Sequence, residues 1–256
     1  MSEKGLQGKT ALVTGGAKRI GEAICLALAQ DGANIVIHYR SSTDNAAELQ
    51  ETIASYGVKS WTIQADFAKR EEYETLIART AELAGGLDIL VNSAAIFPFE
   101  TLDKATFESL VENMEVNAWA PFVLMRDFAR IVGKGRVVNL VDSRVTGYDW
   151  NHVGYILSKH VLNALTNMAA VQYAPGITVN AVGPGLILPP PGREHDYIDK
   201  LVSTVPLKRH GDVSEIADAV LYLLKAEFVT GATIYVDGGR HLIEYAMEYA
   251  SGPHPD

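Results

Sequence analysis

The stretch Thr10–Gly32, "TALVTGGAKRIGEAICLALAQDG", decides the fold. Its first five residues are apolar or β-branched and carry no charge, which suits a strand buried on both faces. Gly15 and Gly16 then break the strand. Behind them Ile20, Ala23, Ile24, Ala27 and Leu28 recur at helical spacing. Strand, Gly-rich turn and amphipathic helix in that order open a βαβ unit. The two glycines permit positive φ and close backbone approach, and Gly21 lets the helix lie near the sheet. The helix start offers unpaired N–H groups and the positive end of the dipole, a seat for a pyrophosphate.

Outward from that unit the pattern repeats. "ANIVIHYR" (33–40), "VKSWTIQADF" (58–67), "LDILVNSAAIF" (87–97), "GRVVNLVDS" (135–143), "GITVNAVGPG" (176–185) and "GATIYVDGG" (231–239) read as six further strands. Helical patterns separate several of them: Asp44–Tyr56, a charged stretch to about Leu83, a long region from Leu102 to Val132, and residues 152–174. Continuous apolar strands alternating with helices predict a Rossmann-type, doubly wound α/β fold, a seven-stranded parallel sheet with helices on both faces. Residues 1–256 are expected to form one domain. The Pro-rich stretch "PGLILPPPGREHDYIDK" (184–200) follows the sixth strand, where such sheets bind ligands, and predicts a substrate-covering loop around 184–206.

Composition narrows the partners. A net charge of −9 over 256 residues argues against nucleic acid or an anionic membrane as the main partner. The single cysteine, Cys25, sits among apolar helix positions and reads as a core residue, so no internal disulfide framework is expected. The opening "MSEKGLQGKT" has no apolar signal region, and no long apolar run follows, so a cytoplasmic location is expected.

Two ends of a site can be read from the residues. At the close of the second strand, where an acid would grip a ribose diol, stand Arg40, Ser41 and Ser42, with Lys18 and Arg19 in the Gly-rich turn. A guanidinium and hydroxyls suit a 2′-phosphate, which favours NADPH over NADH. Asp66, at the end of the third strand, either accepts from an adenine amino group or caps the helix that follows. Asn92, Ser93 and Ala94 end the fourth strand, where small residues let the chain pass close to a cofactor. At the other end, Tyr155 and Lys159 are four residues apart and share a helix face. An ammonium beside a phenol would lower its pKa from about 10 by roughly 1–3 units, making a proton donor for a group that receives hydride.

Taken together, "TGGAKRIG", "NSAA", Asn117 in "MEVNAWAPF", Tyr155 and Lys159 in "YILSK", "VNAVGPG" and "FVTGATIYVDGG" resemble the short-chain dehydrogenase/reductases over residues 6–241. Two positions depart from that family's general pattern. Arg19 replaces the middle glycine of the loop, and Asp142, thirteen residues before Tyr155, replaces a serine. Ser143 is one residue out of register, and on a strand such a slip turns the side chain to the other face, unless a bulge at the strand end re-aims it. Both departures resemble the pteridine reductases, and the closing "FVTG…DGGRHL" resembles bacterial dihydromonapterin reductases.

The resemblance implies an NADPH-dependent reductase of dihydropterins, with folates as further substrates. The alternative is a carbonyl reductase of the 3-oxoacyl thioester or small-ketone type. It implies a catalytic set of Asp142, Tyr155, Lys159 and Asn117, the asparagine holding a relay water. Cofactor contacts would come from Gly15, Lys18, Arg19, Ile20, His38, Tyr39, Arg40, Ser41, Asp66, Phe67, Asn92, Ser93, Ala94, Tyr155, Lys159, Pro184, Gly185 and Leu186. Arg19, Phe97, Asp142 and Tyr155 would hold the substrate, the Phe97 ring stacking on the pterin. A carboxylate accepts only, so Asp142 would suit a donor-rich heterocycle better than a ketone oxygen. Tyr148, Trp150, Leu186 and Leu188 could wall the pocket. No metal is expected, and the resemblance implies a homotetramer contacting through its long helices.

Overall fold

A computed structural model describes residues 5–190, 192 and 196–243. Seven strands form one parallel sheet: β1 (Thr10–Thr14), β2 (Asn34–Tyr39), β3 (Ser60–Gln64), β4 (Ile89–Asn92), β5 (Gly135–Leu140), β6 (Ile177–Pro184) and β7 (Thr233–Val236). Their spatial order is β3-β2-β1-β4-β5-β6-β7, every neighbouring pair parallel. The doubly wound expectation therefore holds. Chain order reverses between β1 and β4, and loops leaving their carboxyl ends diverge there to open a cleft.

Alternation along the strands divides the core into two layers. Leu12, Val36, Leu90 and Val137 face one side, against α3 (Arg70–Glu74), α4 (Leu76–Ala84), α6 (Ala120–Ile131) and α7 (Val153–Gln172). Ala11, Val13, Ile35, Ile37 and Val138 face the other, against α1 (Arg19–Gln30), α2 (Thr43–Ala54) and α9 (Val213–Lys225). The central strands β1 and β4 are buried along their whole length because both of their faces are covered.

The helices differ from the sequence reading in three places. The charged segment after β3 is two helices, α3 and α4, rather than one. The long helical region starts at α5 (Phe107–Met114), and a π-helical turn at Glu115–Trp119 joins it to α6. The extra residue in that turn brings Asn117 onto the buried side. Helix α9 was not anticipated, although its start is written plainly. Asp212 caps it by accepting from Ser214 N–H at 2.8 Å, and the Glu215 carboxylate reaches back to the Asp212 N–H at 2.8 Å. A short helix, α8 (Asp196–Asp199), lies within the segment expected to cover the substrate. Residues 191, 193–195 and 244–256 of that segment and of the tail lie outside the described residues.

Candidate active site

The cleft has a volume of about 1000 Å³ and runs from the Gly-rich turn to α7. Backbone proximity shapes its phosphate end. Gly15 has φ +63°, and a Cβ there would stand 2.9 Å from the Ala94 Cα; one on Gly21 would stand 2.1 Å from the Gly15 carbonyl oxygen. Thr14 Oγ1 accepts from the N–H groups of Ser93 and Ala94 at 2.9 and 3.1 Å, which ties the turn after β1 to the end of β4. The first turn of α1 carries no side-chain cap, so its amides remain available to an anion.

His38 is a post beneath this turn. Its Nδ1 accepts from Gly15 N–H at 3.0 Å, and its Nε2 lies 3.0 Å from the Ala65 carbonyl oxygen. An amide only donates and a carbonyl only accepts, so the ring is neutral with its proton on Nε2. Burial lowers its pKa to about 4, in keeping with that state. Phe67 stacks on it at 4.7 Å. His38 and Phe67 thus support the turn from below as well as lining the cleft.

Lys18, Arg40, Ser41 and Ser42 line the same end. Arg19 adopts φ +58°, a left-handed conformation that disfavours a side chain, and its Nη2 donates to the Pro189 carbonyl at 2.6 Å. The arginine therefore joins the Gly-rich turn to the chain leaving β6. Asp66 lines the cleft while its carboxylate accepts the Ala68 N–H at 3.1 Å, a turn-forming bond just ahead of α3. Ile20, Tyr39, Pro184, Gly185 and Leu186 also line the cleft.

Two expected residues stand behind it. Asn92 Nδ2 donates to Asn139 Oδ1 at 2.8 Å, inside the core between β4 and β5. Asn117 is fully buried: its Oδ1 accepts from Ile96 N–H at 2.8 Å, and its Nδ2 donates to the Ile96 carbonyl at 3.1 Å and to Ser158 Oγ at 3.1 Å. It clamps the chain leaving β4 to α7 and does not line the cleft.

At the reacting end, α7 presents Tyr155 and Lys159 together. Both are buried. Lys159 Nζ donates to the Leu140 carbonyl at 2.7 Å and lies 5.7 Å from the Tyr155 ring centre. Burial pulls the Lys159 pKa down to about 8, against the opposing charge of Asp142. Tyr155 corrects the expectation of an acidified phenol. Burial and the Asp142 charge raise its pKa well above the ordinary value, so the hydroxyl is held protonated and donates to Asp142 Oδ2 at 3.0 Å.

The choice between Asp142 and Ser143 is also visible. Asp142 lines the cleft and receives the Tyr155 hydroxyl, whereas Ser143 is buried and does not line it. Asp142 has a partner the sequence reading missed. Arg144 donates its backbone N–H and Nε to Asp142 Oδ1 at 2.8 and 3.1 Å, and its Nη2 to Oδ2 at 3.0 Å. Burial alone would raise the Asp142 carboxyl; the guanidinium overrides it, and the net shift is downward. Arg144 Nη1 also donates to Asp149 Oδ2, and the same oxygen meets His152 Nδ1 at 2.8 Å. Asp149 is held below the usual carboxyl range as well: burial opposes this, while the His152 bond and the Arg144 charge prevail.

Phe97 closes the group, stacked on His152 at 3.8 Å and edge-on to Tyr155 at 4.5 Å. Arg144, Asp149 and His152 escaped notice because they belong to an irregular segment with no periodicity to interpret. The available signal was an arginine two residues after the carboxylate in "DSR" and the i, i+3 pair in "DWNH". Tyr148, Trp150, Leu186 and Leu188 do line the cleft.

The residues present fit a phosphorylated dinucleotide. One end has an uncapped helix start, Lys18, Arg40 and two serine hydroxyls, and the other a protonated phenol and a buried lysine. Between them, Gly15 and Gly21 leave the chain no room for a Cβ. Such an arrangement can hold an elongated anion and deliver a proton beside its far end.

Residues 15–241 match the family described as enoyl-(acyl carrier protein) reductase. The 3-oxoacyl-[acyl-carrier-protein] reductase FabG of Staphylococcus epidermidis is 33% identical over 242 residues, covering 91% of this chain and 99% of that protein. Glucose 1-dehydrogenase 2 of Bacillus subtilis is 31% identical, covering 96% of this chain and 99% of its own. Among solved structures, FolM alternative dihydrofolate reductase 1 from Brucella canis, complexed with NADP, superposes with a TM-score of 0.86 at 31% identity, covering 95% of this chain and 98% of that one. The corresponding protein from Brucella suis, also in complex with NADP, gives a TM-score of 0.88 at 30% identity, with 94% and 98% covered.

Proposed function

The chain belongs to the short-chain dehydrogenase/reductase family, and on that premise we propose that it is an NADPH-dependent reductase of dihydropterins, with folates in the same substrate class. The observation that carries the reading is the carboxylate of Asp142 in the cleft, accepting the Tyr155 hydroxyl at 3.0 Å where a serine hydroxyl would serve a ketone. The aromatic surface of Phe97, backed by His152, supports it by offering a flat partner beside the proton donor. The solved structures named alternative dihydrofolate reductases point the same way.

NADPH, when bound, supplies a hydride to a ring carbon of the substrate. The chain's residues do the rest. Lys18, Arg19 and the first turn of α1 would hold the pyrophosphate, and Arg40 with Ser41 and Ser42 would hold the 2′-phosphate. Tyr155 delivers its proton to the ring nitrogen next to the carbon that receives hydride. Its raised pKa keeps that proton in place until the nitrogen becomes basic. Asp142, itself fixed by Arg144, holds the phenol in line, and Lys159 places positive charge near the phenolate that forms. Asn117 acts as a positioning residue by fixing Ile96, one residue before Phe97. A homotetramer is the assembly we attach to this reading; Met168 and Val171 of α7 leave an exposed apolar face for it.

A carbonyl reductase of 3-oxoacyl thioesters is the second reading, favoured by the 33% identity to FabG. Steady-state turnover of 7,8-dihydrobiopterin and of an acetoacetyl thioester with NADPH separates the two. We expect dihydropterin turnover, lost in Tyr155→Phe while NADPH still binds. Turnover of the thioester alone would replace this reading with the second.

A further inference from the structure

Arg144 takes three positions of the carboxylate that marks this site, and the Tyr155 hydroxyl takes the fourth. An ionised carboxylate offers about four lone-pair positions. Asp142 Oδ1 accepts from the Arg144 N–H and Nε, and Oδ2 accepts from Arg144 Nη2 and the Tyr155 hydroxyl. A ring N–H could bind there only by displacing Arg144 or the proton donor itself. At most the one position that the Tyr155 hydroxyl vacates is open to the substrate, so Asp142 is engaged mainly with Arg144 and reads little of a donor-rich heterocycle by itself.

Arg144 is in the opposite situation. A guanidinium has five N–H donors in a fixed plane. Three are spent on side chains: Nε and one on Nη2 toward Asp142, and one on Nη1 toward Asp149. One N–H on each terminal nitrogen is left over. The residue lines the cleft with its side chain 18% exposed, and its guanidinium carbon stands 5.7 Å from the centre of the Phe97 ring. The carboxylates on either side fix its plane, so the remaining donors are held in a set direction. Asp142, Arg144, Asp149 and Lys159 balance in charge, which leaves no excess of positive charge to draw an anion. A neutral acceptor suits the site.

We propose that Arg144 is the specificity-determining residue of this site, donating its spare N–H groups to a carbonyl oxygen of the substrate ring while Tyr155 turns its single O–H from Asp142 Oδ2 to the neighbouring ring nitrogen. The assignment rests on the dihydropterin reading above and deepens it. The ring must present two adjacent acceptors, the oxo oxygen and the nitrogen that takes the proton. Replacing the 4-oxo group by an amino group sets a donor against a donor, and the contact is lost. Asp142 and Asp149 then serve to aim Arg144.

The test compares equilibrium binding of 7,8-dihydrobiopterin, which carries the 4-oxo group, and of 2,4-diaminopteridine to the NADP⁺-loaded protein. Binding is followed by fluorescence, for wild type, Arg144→Met and Arg144→Lys. NADP⁺ affinity and melting temperature are recorded for each. The wild type is expected to prefer the 4-oxo ligand at least tenfold. Arg144→Lys, which keeps the charge and loses the planar fork, and Arg144→Met should lose most of that preference with NADP⁺ affinity within about twofold. Should Arg144→Met fail to fold without its charge between two acids, the wild-type comparison and Arg144→Lys decide the matter. No 4-oxo preference in wild type, or equal weakening of both ligands in the variants, overturns the assignment while leaving the dihydropterin reading intact if dihydrobiopterin still turns over. Absence of pterin binding and turnover in wild type removes the dihydropterin reading, and this assignment falls with it.

Discussion

At pH 7 burial of the Lys159 ammonium costs the folded chain stability. Its pKa is about 8 when folded, against 10.5 for an unhindered lysine. A base with a depressed folded pKa binds fewer protons in the folded state between those two values, so stability rises as pH climbs from about 8 toward 10.5. Below pH 8 the full cost is present, about 3 kcal/mol at about 1.4 kcal/mol per unit. A variant without the ammonium escapes that cost but gives back about 1 kcal/mol of the gain, because it leaves the Leu140 carbonyl without its donor. Lys159→Met should therefore make the protein about 1–2 kcal/mol more stable at pH 7 by urea unfolding while abolishing turnover. A less stable variant would show that the lysine is held more favourably than its burial implies. Tyr155 and Lys159 were legible from their spacing taken together with the Gly-rich turn and the strand order. Their proton states were not, because the acids and the guanidinium that set them come from a separate loop.

Among the elements, α9 shows how a legible segment can still be overlooked. Asp212 and Glu215 form a reciprocal cap, and Ile216, Val220, Leu223 and Leu224 bury one face against the sheet. The sequence carried both signals, an acid with a glutamate three places on and an apolar stripe behind it. Asp212→Ala removes the cap and should cost about 1 kcal/mol, lowering the melting temperature by roughly 2–4 °C in a chain of this size, without altering kcat. Calorimetry with parallel kinetics checks this; a large loss of kcat would mean that α9 reaches the cleft energetically. The π turn at Glu115–Trp119 is a different case. Nothing in "EVNAW" announces an extra residue, and tertiary contacts of Asn117 with Ile96 and Ser158 hold it.

For the whole molecule, the decisive feature is where the sheet reverses its order. The loops after β1, β2, β4, β5 and β6 meet at one cleft because those strands are parallel and end together. A ligand bridging them stabilises the folded state alone. NADPH at one hundred times its Kd should add about 2.7 kcal/mol, a melting shift of about 5–10 °C. NADH at the same concentration should shift it far less, since Arg40, Ser41 and Ser42 would find no 2′-phosphate. Equal shifts by differential scanning fluorimetry would contradict the cofactor assignment.

The seven strands, their parallel packing, the Gly-rich seat and the Tyr-Lys pair can all be read along the chain, because each depends on local pattern and short spacing. Only the folded contacts show that Asp142, favoured by strand register, faces the cleft and Ser143 does not, that Asn92 and Asn117 stand behind it, and that Arg144 and Tyr155 together fill Asp142. Those outcomes depend on which side chains meet across loops of no fixed period, and on burial, which sets proton states only once the chain has closed around them.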